Sequence, residues 1–216
     1  MDSPPERPFL TARWRTLVML NYEADRATLA GLVPAGSELD FWNGQTFVSV
    51  VGFQFLDTRV LGVAIPFHRH FDEVNLRFYV RRKVQGTWRR GVVFIKEIVP
   101  RWATAFVARH AYGENYIALP MRHDVRPSDS ARATAVSYRW RRQGTWEGVS
   151  ASYSGLPEFM PDTSQEAFIT EHYWGYSRQR GATVEYQVEH PRWRVWRADE
   201  SSLECDVLSL YGPAFV

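Results

Sequence analysis

Lysine is the residue this sequence nearly does without. Of 26 basic side chains only Lys83 and Lys96 are lysines, and the rest are arginine. Any chemistry that needs a free side-chain amine therefore has two candidates. Cysteine is scarcer still. Cys205 stands alone, which excludes an intramolecular disulfide and suits a reducing, cytoplasmic setting. No apolar run approaches the roughly 18 residues of a membrane-spanning helix, and MDSPPERPFL lacks the basic-then-apolar layout of a secretory signal. The phosphate loop, the dinucleotide fingerprint, the zinc spacings and the G-x-S-x-G serine setting are all missing, so neither a cofactor nor a metal is expected. With 24 acidic residues against 26 basic ones the net charge is +2, and no nucleic-acid partner is expected.

What is abundant is aromatic. Aromatic residues make up 15% of the chain and include nine tryptophans, a content that suits a β-rich core or an aromatic-lined cavity. The length fits one domain over residues 10–216, preceded by a proline-rich extended arm at 1–9. Trp14 to Leu20 reads as a first strand, and Ala24 to Leu32 as a short helix stopping before Pro34. Asn43-Gly44 is a strong hairpin signal. Val74 to Lys83 turns back at Gln85-Gly86 into a strand over 91–99. Ala135 to Arg141 and Trp146 to Tyr153 pair across Gln143-Gly144, and Tyr173 to Arg178 and Thr183 to Val188 pair around Gly181. Thr163 with Glu166 forms a capping box for a helix from about Ser164 to His172. Trp193 to Trp196 adds an edge strand. So many strands and about three short helices predict a β-rich α+β fold, most economically a barrel that leaves no open edges.

Residues 91 to 123 draw the eye. Gly91 opens and Pro100 closes an apolar strand that holds Lys96 and Glu97. Strict alternation places Lys96 with Val92, Phe94 and Ile98, and Glu97 with Val93, Ile95 and Val99. Beyond Pro100, Trp102, Ala105, Phe106 and Arg109 fall at helical spacing with Gly113 as the cap. A buried lysine can lose its proton and attack a carbonyl, or it can pair with a carboxylate or extend its ammonium to water. Glu73, Asn75, Arg77 and Tyr79 share one strand face. In a cavity that row would clamp an anion through Arg77; on an outer wall it would simply be solvated. His172, at a helix end, offers a general acid or base, or a partner for the helix dipole. His68 and His70 lie two apart, short of the three ligands a metal needs.

Several motifs in order carry a family resemblance. They are Leu32-Val33-Pro34-Ala35-Gly36 with Leu39-Asp40, Val51-Gly52-Phe53, Glu73-x-Asn75-x-Arg77-x-Tyr79-Val80, Tyr112-Gly113-Glu114-Asn115-Tyr116, and FITEHYWGY at 168–176. Together they resemble the YqjF-like bacterial family, which is similar to the acetoacetate-decarboxylase-like superfamily. That resemblance implies a β-barrel with two or three short peripheral helices and a central cavity. It does not bring the decarboxylase mechanism with it. The decarboxylase's Schiff-base lysine follows a G-x-P step, whereas Gly113-Glu114-Asn115-Tyr116 has asparagine and tyrosine there, and no lysine follows Lys96.

The expectation is therefore a small-molecule-binding barrel for a small carboxylate or carbonyl compound, with a lyase-like enzyme acting through Lys96 and a homo-oligomer both allowed. Lys96, Glu97 and His172 are the candidate catalytic residues. Asn75, Arg77, Tyr79, Asn115 and Tyr116 are the candidate ligand contacts. The rival expectation is a non-catalytic ligand-binding or interaction protein on the same scaffold.

Overall fold

A computed structural model describes residues 8–64, 68–100, 115–126, 134–179 and 181–216. Its larger sheet starts from β1 (Leu10–Ala24), which pairs antiparallel with β3 (Thr46–Val60). Then come β5 (Phe71–Val84), β6 (Thr87–Val99), β11 (Trp174–Gln179) and β12 (Ala182–Gln187). Three short strands extend this sheet: β2 (Glu38–Leu39) on β5, β4 (Val63–Ala64) on β3, and β7 (Tyr116–Ala118) on β6. The smaller sheet has the order β13 (Ala198–Glu204), β10 (Thr145–Tyr153), β9 (Thr134–Arg142), β8 (Met121–Arg126). The helices are short: α1 (Arg26–Ala30), α2 (Gln165–Thr170), α3 (Val207–Tyr211) and a 3-10 turn at Pro213–Phe215. No helix of the described residues is long and apolar enough to cross a membrane.

The chain is β-rich with few short helices, as expected, but among the described residues neither sheet closes on itself. Among the described residues two open sheets pack face to face. Three hairpins turn at Asn43-Gly44, Gln85-Gly86 and Gln143-Gly144, all with both central residues at positive φ, the geometry that matches strand twist. The core between the sheets is built from Val50, Val74, Leu76 and Phe78 on one side and Val136, Tyr138, Trp140 and Val149 on the other. The sheets approach closely at Gly52, where an added Cβ would lie 2.6 Å from the Tyr138 ring. Two register shifts bend β1, and Tyr138 donates its hydroxyl to the carbonyl of Thr16 between Arg15 and Val18 at 2.8 Å.

The opposite face of the larger sheet is covered too. Phe168 and Ile169 of α2 pack on Phe47, Tyr79 and Val92. Beside them Trp14 meets Trp193 and His190, with ring centroids 6.1 Å apart in each case. Ser164 rather than Thr163 caps α2, its hydroxyl accepting from the Ala167 N–H at 3.1 Å. The segment around Trp193 makes only an isolated bridge, Val195 to Glu158, and the true edge strand is β13. The helix expected after Pro100, with its cap at Gly113, and most of the 1–9 arm lie outside the described residues.

Candidate functional site

Strand pairing lays two rows of side chains across the covered face. Asn21, Ser49, Arg77 and Phe94 stand abreast on β1, β3, β5 and β6. Met19, Val51, Asn75, Glu97 and Tyr116 form the adjacent row and reach β7. The polar row is not solvated: Asn75 and Glu97 are each 2% exposed, Glu73 4% and Tyr79 1%. Of the β5 members only Arg77 is half-exposed.

Hydrogen bonds fix most of this floor. The Asn75 side-chain amide donates to Glu73 at 2.9 Å. Ser49 donates to Asn21 Oδ1 at 2.6 Å, so the Tyr79 hydroxyl, 2.5 Å from Ser49 Oγ, must be the donor in that contact. Tyr79 is thereby a strut. Arg77 differs. Its guanidinium lies 5.8 Å from the Tyr79 ring, and among the described residues it makes no hydrogen bond or ion pair, with a buried Nε left over. The Asn75 Oδ1 is likewise buried and unpartnered among them.

His172 is buried just beyond α2, between Tyr79 (centroids 4.7 Å) and Phe168 (5.2 Å). Its Nε2 lies 3.2 Å from Asp40, whose carboxylate also accepts from Arg90 Nε at 2.7 Å. Burial pushes the His172 pKa down to about 4, helped by the charges of Arg90 and Arg77 and opposed by Asp40. Burial would raise Asp40, but its hydrogen bonds with His172 and Arg90 outweigh that and hold it below the usual carboxylate range. A neutral His172 must then donate from Nε2, which leaves Nδ1 as a buried acceptor with no partner among the described residues. The ring is a neutral acceptor rather than a cation at the helix end.

Lys96 points the other way. Register between β5 and β6 runs Leu76 to Lys96, then Arg77 to Phe94, so Ile95 is an extra residue in β6. This bulge breaks the strict alternation expected from the sequence. Val92, Phe94, Glu97 and Val99 share the covered face, while Val93, Lys96 and Ile98 face the core between the sheets. There the Lys96 amine donates to the Leu210 carbonyl of α3 at 2.7 Å. Asn115 supports the bulge, its side chain donating to the Ile95 carbonyl at 3.2 Å. Tyr116 pairs beside Glu97 and packs with Val99 and Phe71. Lys83, at the β5 end, sits 5.8 Å from the Trp88 ring. Neither lysine joins the polar row.

A model of the DUF2071 family, described as an uncharacterized conserved protein, matches residues 11–215. The chain belongs to this family. It is 25% identical over 190 residues to the uncharacterized protein YqjF of Bacillus subtilis, covering 86% of this chain and 74% of that one. Solved structures share the architecture. The acetoacetate decarboxylase of Legionella pneumophila superposes with a TM-score of 0.59 at 13% identity, over 98% of this chain and 83% of the decarboxylase. The enduracididine biosynthesis enzyme MppR complexed with pyruvate gives 0.60 at 13% identity, over 100% and 83%. At such identities the likeness is one of fold.

Within this DUF2071 chain, the structure brings Asn75, Arg77, Tyr79 and Glu97 onto one face, with the His172 ring tilted against Tyr79. It separates Lys96 and Asn115 from them. Sequence reasoning missed Asp40, Arg90, Ser49 and Asn21, which meet that face only through long-range pairing. It also missed the roof, where His190 stacks on Trp193 at 4.0 Å and on Tyr173 at 4.7 Å. Among the described residues no His, Cys, Asp or Glu cluster of three or more could hold a metal. Two cavities, of about 450 and 220 Å³, include none of Glu73, Asn75, Arg77 or Tyr79.

Proposed function

We propose that this protein binds a small carboxylate or carbonyl compound, such as a short oxo acid, through the covered face of its larger sheet. Arg77 anchors the carboxylate and Asn75 orients it, while Tyr79, held by Ser49, keeps the guanidinium in place. The observation that carries this reading is the uncommitted Arg77. A half-buried guanidinium that makes no hydrogen bond or ion pair among the described residues has its donors available to an incoming anion. The pyruvate bound by the similarly folded MppR favours the same ligand class.

Covalent amine chemistry has no support from the geometry. Lys96 lies on the strand beside the polar row, yet its nitrogen ends on the Leu210 carbonyl across the sheet. Binding without a Schiff base is the reading favoured over a lyase acting through Lys96. Calorimetric titration with pyruvate and acetoacetate tests it. Saturable binding is expected, weakened at least about tenfold in Arg77→Met, with no adduct after borohydride treatment. Binding indifferent to Arg77→Met, or a borohydride adduct on Lys96, overturns it.

A further inference from the structure

The larger cavity, about 450 Å³, lies at one end of the space between the two sheets, away from the Arg77 face. Its polar wall comes from neighbouring strands: Gln54 on β3, Asp72 on β5 and His123 on β8. Gln54 and Asp72 are cross-strand partners. Leu56, Pro120 and Met121 supply apolar wall around them. The volume is within the range of small-molecule sites, which combine an apolar lining with a few placed polar groups.

The polar groups are ordered by one another. His123 Nδ1 lies 2.9 Å from each Asp72 oxygen, and its Nε2 lies 3.1 Å from the Gln54 side-chain nitrogen. Gln54 can only donate from that nitrogen, so Nε2 accepts and the ring proton sits on Nδ1, directed at Asp72. That ring proton is the one hydrogen bond made to Asp72 among the described residues, although the carboxylate side chain is only 10% exposed. A carboxylate so far from water is ordinarily satisfied by several donors or by a cation. Among the described residues no lysine or arginine lines the cavity, and Arg13 and Arg69 are committed to Asp57. Among the described residues, then, one imidazole N–H and no lysine or arginine meets this buried carboxylate.

We infer that this cavity is a second small-molecule site, one that takes a small organic ammonium. The cationic nitrogen sits on Asp72, and the apolar body lies against Leu56, Pro120 and Met121. His123, oriented by Gln54, holds the carboxylate toward the ligand. The inference does not rest on Arg77 or on the oxo-acid reading, because the two sites lie on opposite faces of the sheet and select opposite charges.

Calorimetry and heteronuclear NMR on the full chain test it, with benzylammonium as the probe and benzyl alcohol and phenylacetate as controls of the same shape. Benzylammonium is expected to saturate one site, with amide shifts centred on 54–56, 71–72 and 121–123. Benzyl alcohol should bind at least about tenfold more weakly, and phenylacetate should leave those amides unmoved. Asp72→Asn should weaken benzylammonium at least about tenfold. Met121→Trp, which fills the cavity from an edge strand, should abolish binding, and its thermal transition shows that the fold is kept. Arg77→Met should change nothing here. Equal affinity for the alcohol, unchanged binding in either cavity variant, or no saturable binding up to millimolar benzylammonium overturns the inference. Should Asp72→Asn fail to fold, Met121→Trp and the alcohol comparison decide.

Discussion

Asn115 holds both sides of a single irregularity: its side chain donates to the Ile95 carbonyl at 3.2 Å, and its backbone carbonyl accepts the Glu97 N–H at 3.0 Å. Between those two anchors β6 carries its one residue more than β5. The extra residue decides that Glu97 faces the polar row and Lys96 the core.

The first prediction tests that support. Asn115→Ala removes the donor but keeps the backbone carbonyl, so the bulge should survive at a cost of about 1 kcal/mol. In a chain of this size that is a drop of roughly 2–4 °C in Tm. Urea unfolding should show the loss in midpoint without a change in slope. Oxo-acid affinity should stay the same, because the side chain lies off the ligand face. A large affinity loss with intact stability would place Asn115 in the site after all.

A second prediction concerns Lys96 as a fastener. Helix α3 is one short turn, held by Asp206 accepting from the Ser209 N–H at 3.0 Å, by Arg142 donating to Ser209 at 2.7 Å, and by the Lys96 amine on Leu210. Lys96→Met keeps the aliphatic stem and deletes the charge. It should cost roughly 1–2 kcal/mol, the worth of a charged donor on a partly buried carbonyl. Hydrogen exchange should show Leu210 and Gly212 amides exchanging faster, with oxo-acid binding unaffected. A residue that formed a Schiff base would give the reverse pattern.

These contrasts show what the sequence could and could not disclose. Asn43-Gly44, Gln85-Gly86 and Gln143-Gly144 announce their hairpins because turn conformation is a local property of two residues. The Glu73, Asn75, Arg77, Tyr79 row was legible for the same reason, since period two needs only one strand. Its burial was not, because the cover arrives from Phe168, His190 and Trp193, about a hundred residues away in the chain. The side taken by Lys96 was misread because a bulge sustained by Asn115 leaves no mark on the alternation of Val92 to Val99. Strand β13, seven largely exposed residues at a sheet edge, has no apolar pattern to betray it. Closure into a barrel depends on how two sheets meet, and no pattern within a single strand encodes that.

The third prediction is acid sensitivity centred on His172. Above pH 6.5 the ring is neutral in both the folded and unfolded states, and its contribution to stability is complete. Between 6.5 and about 4 the unfolded chain takes up a proton that the buried ring refuses, so stability falls as the pH falls. The gap corresponds to about 3 kcal/mol. Asp40, held below its ordinary value, adds a further loss in the same direction at still lower pH. Urea unfolding across pH 7 to 4 should therefore be steeper for the wild type than for His172→Gln. Parallel curves would mean that the ring titrates normally.

Finally, Arg77 should be detectable through histidines it does not touch. Its charge helps depress His172, and it helps depress His190, whose lowering comes first from burial and is opposed by the Pro191 carbonyl and Glu171. Arg77→Met removes one positive charge from that face, so both imidazole pKa values should rise. NMR titration of the ring carbons reads both at once. A carboxylate bound on the guanidinium would neutralise the same charge. Saturating pyruvate should then raise His190 in the wild type and have little further effect in Arg77→Met. A ligand that binds but leaves His190 where it was has its carboxylate somewhere other than on Arg77.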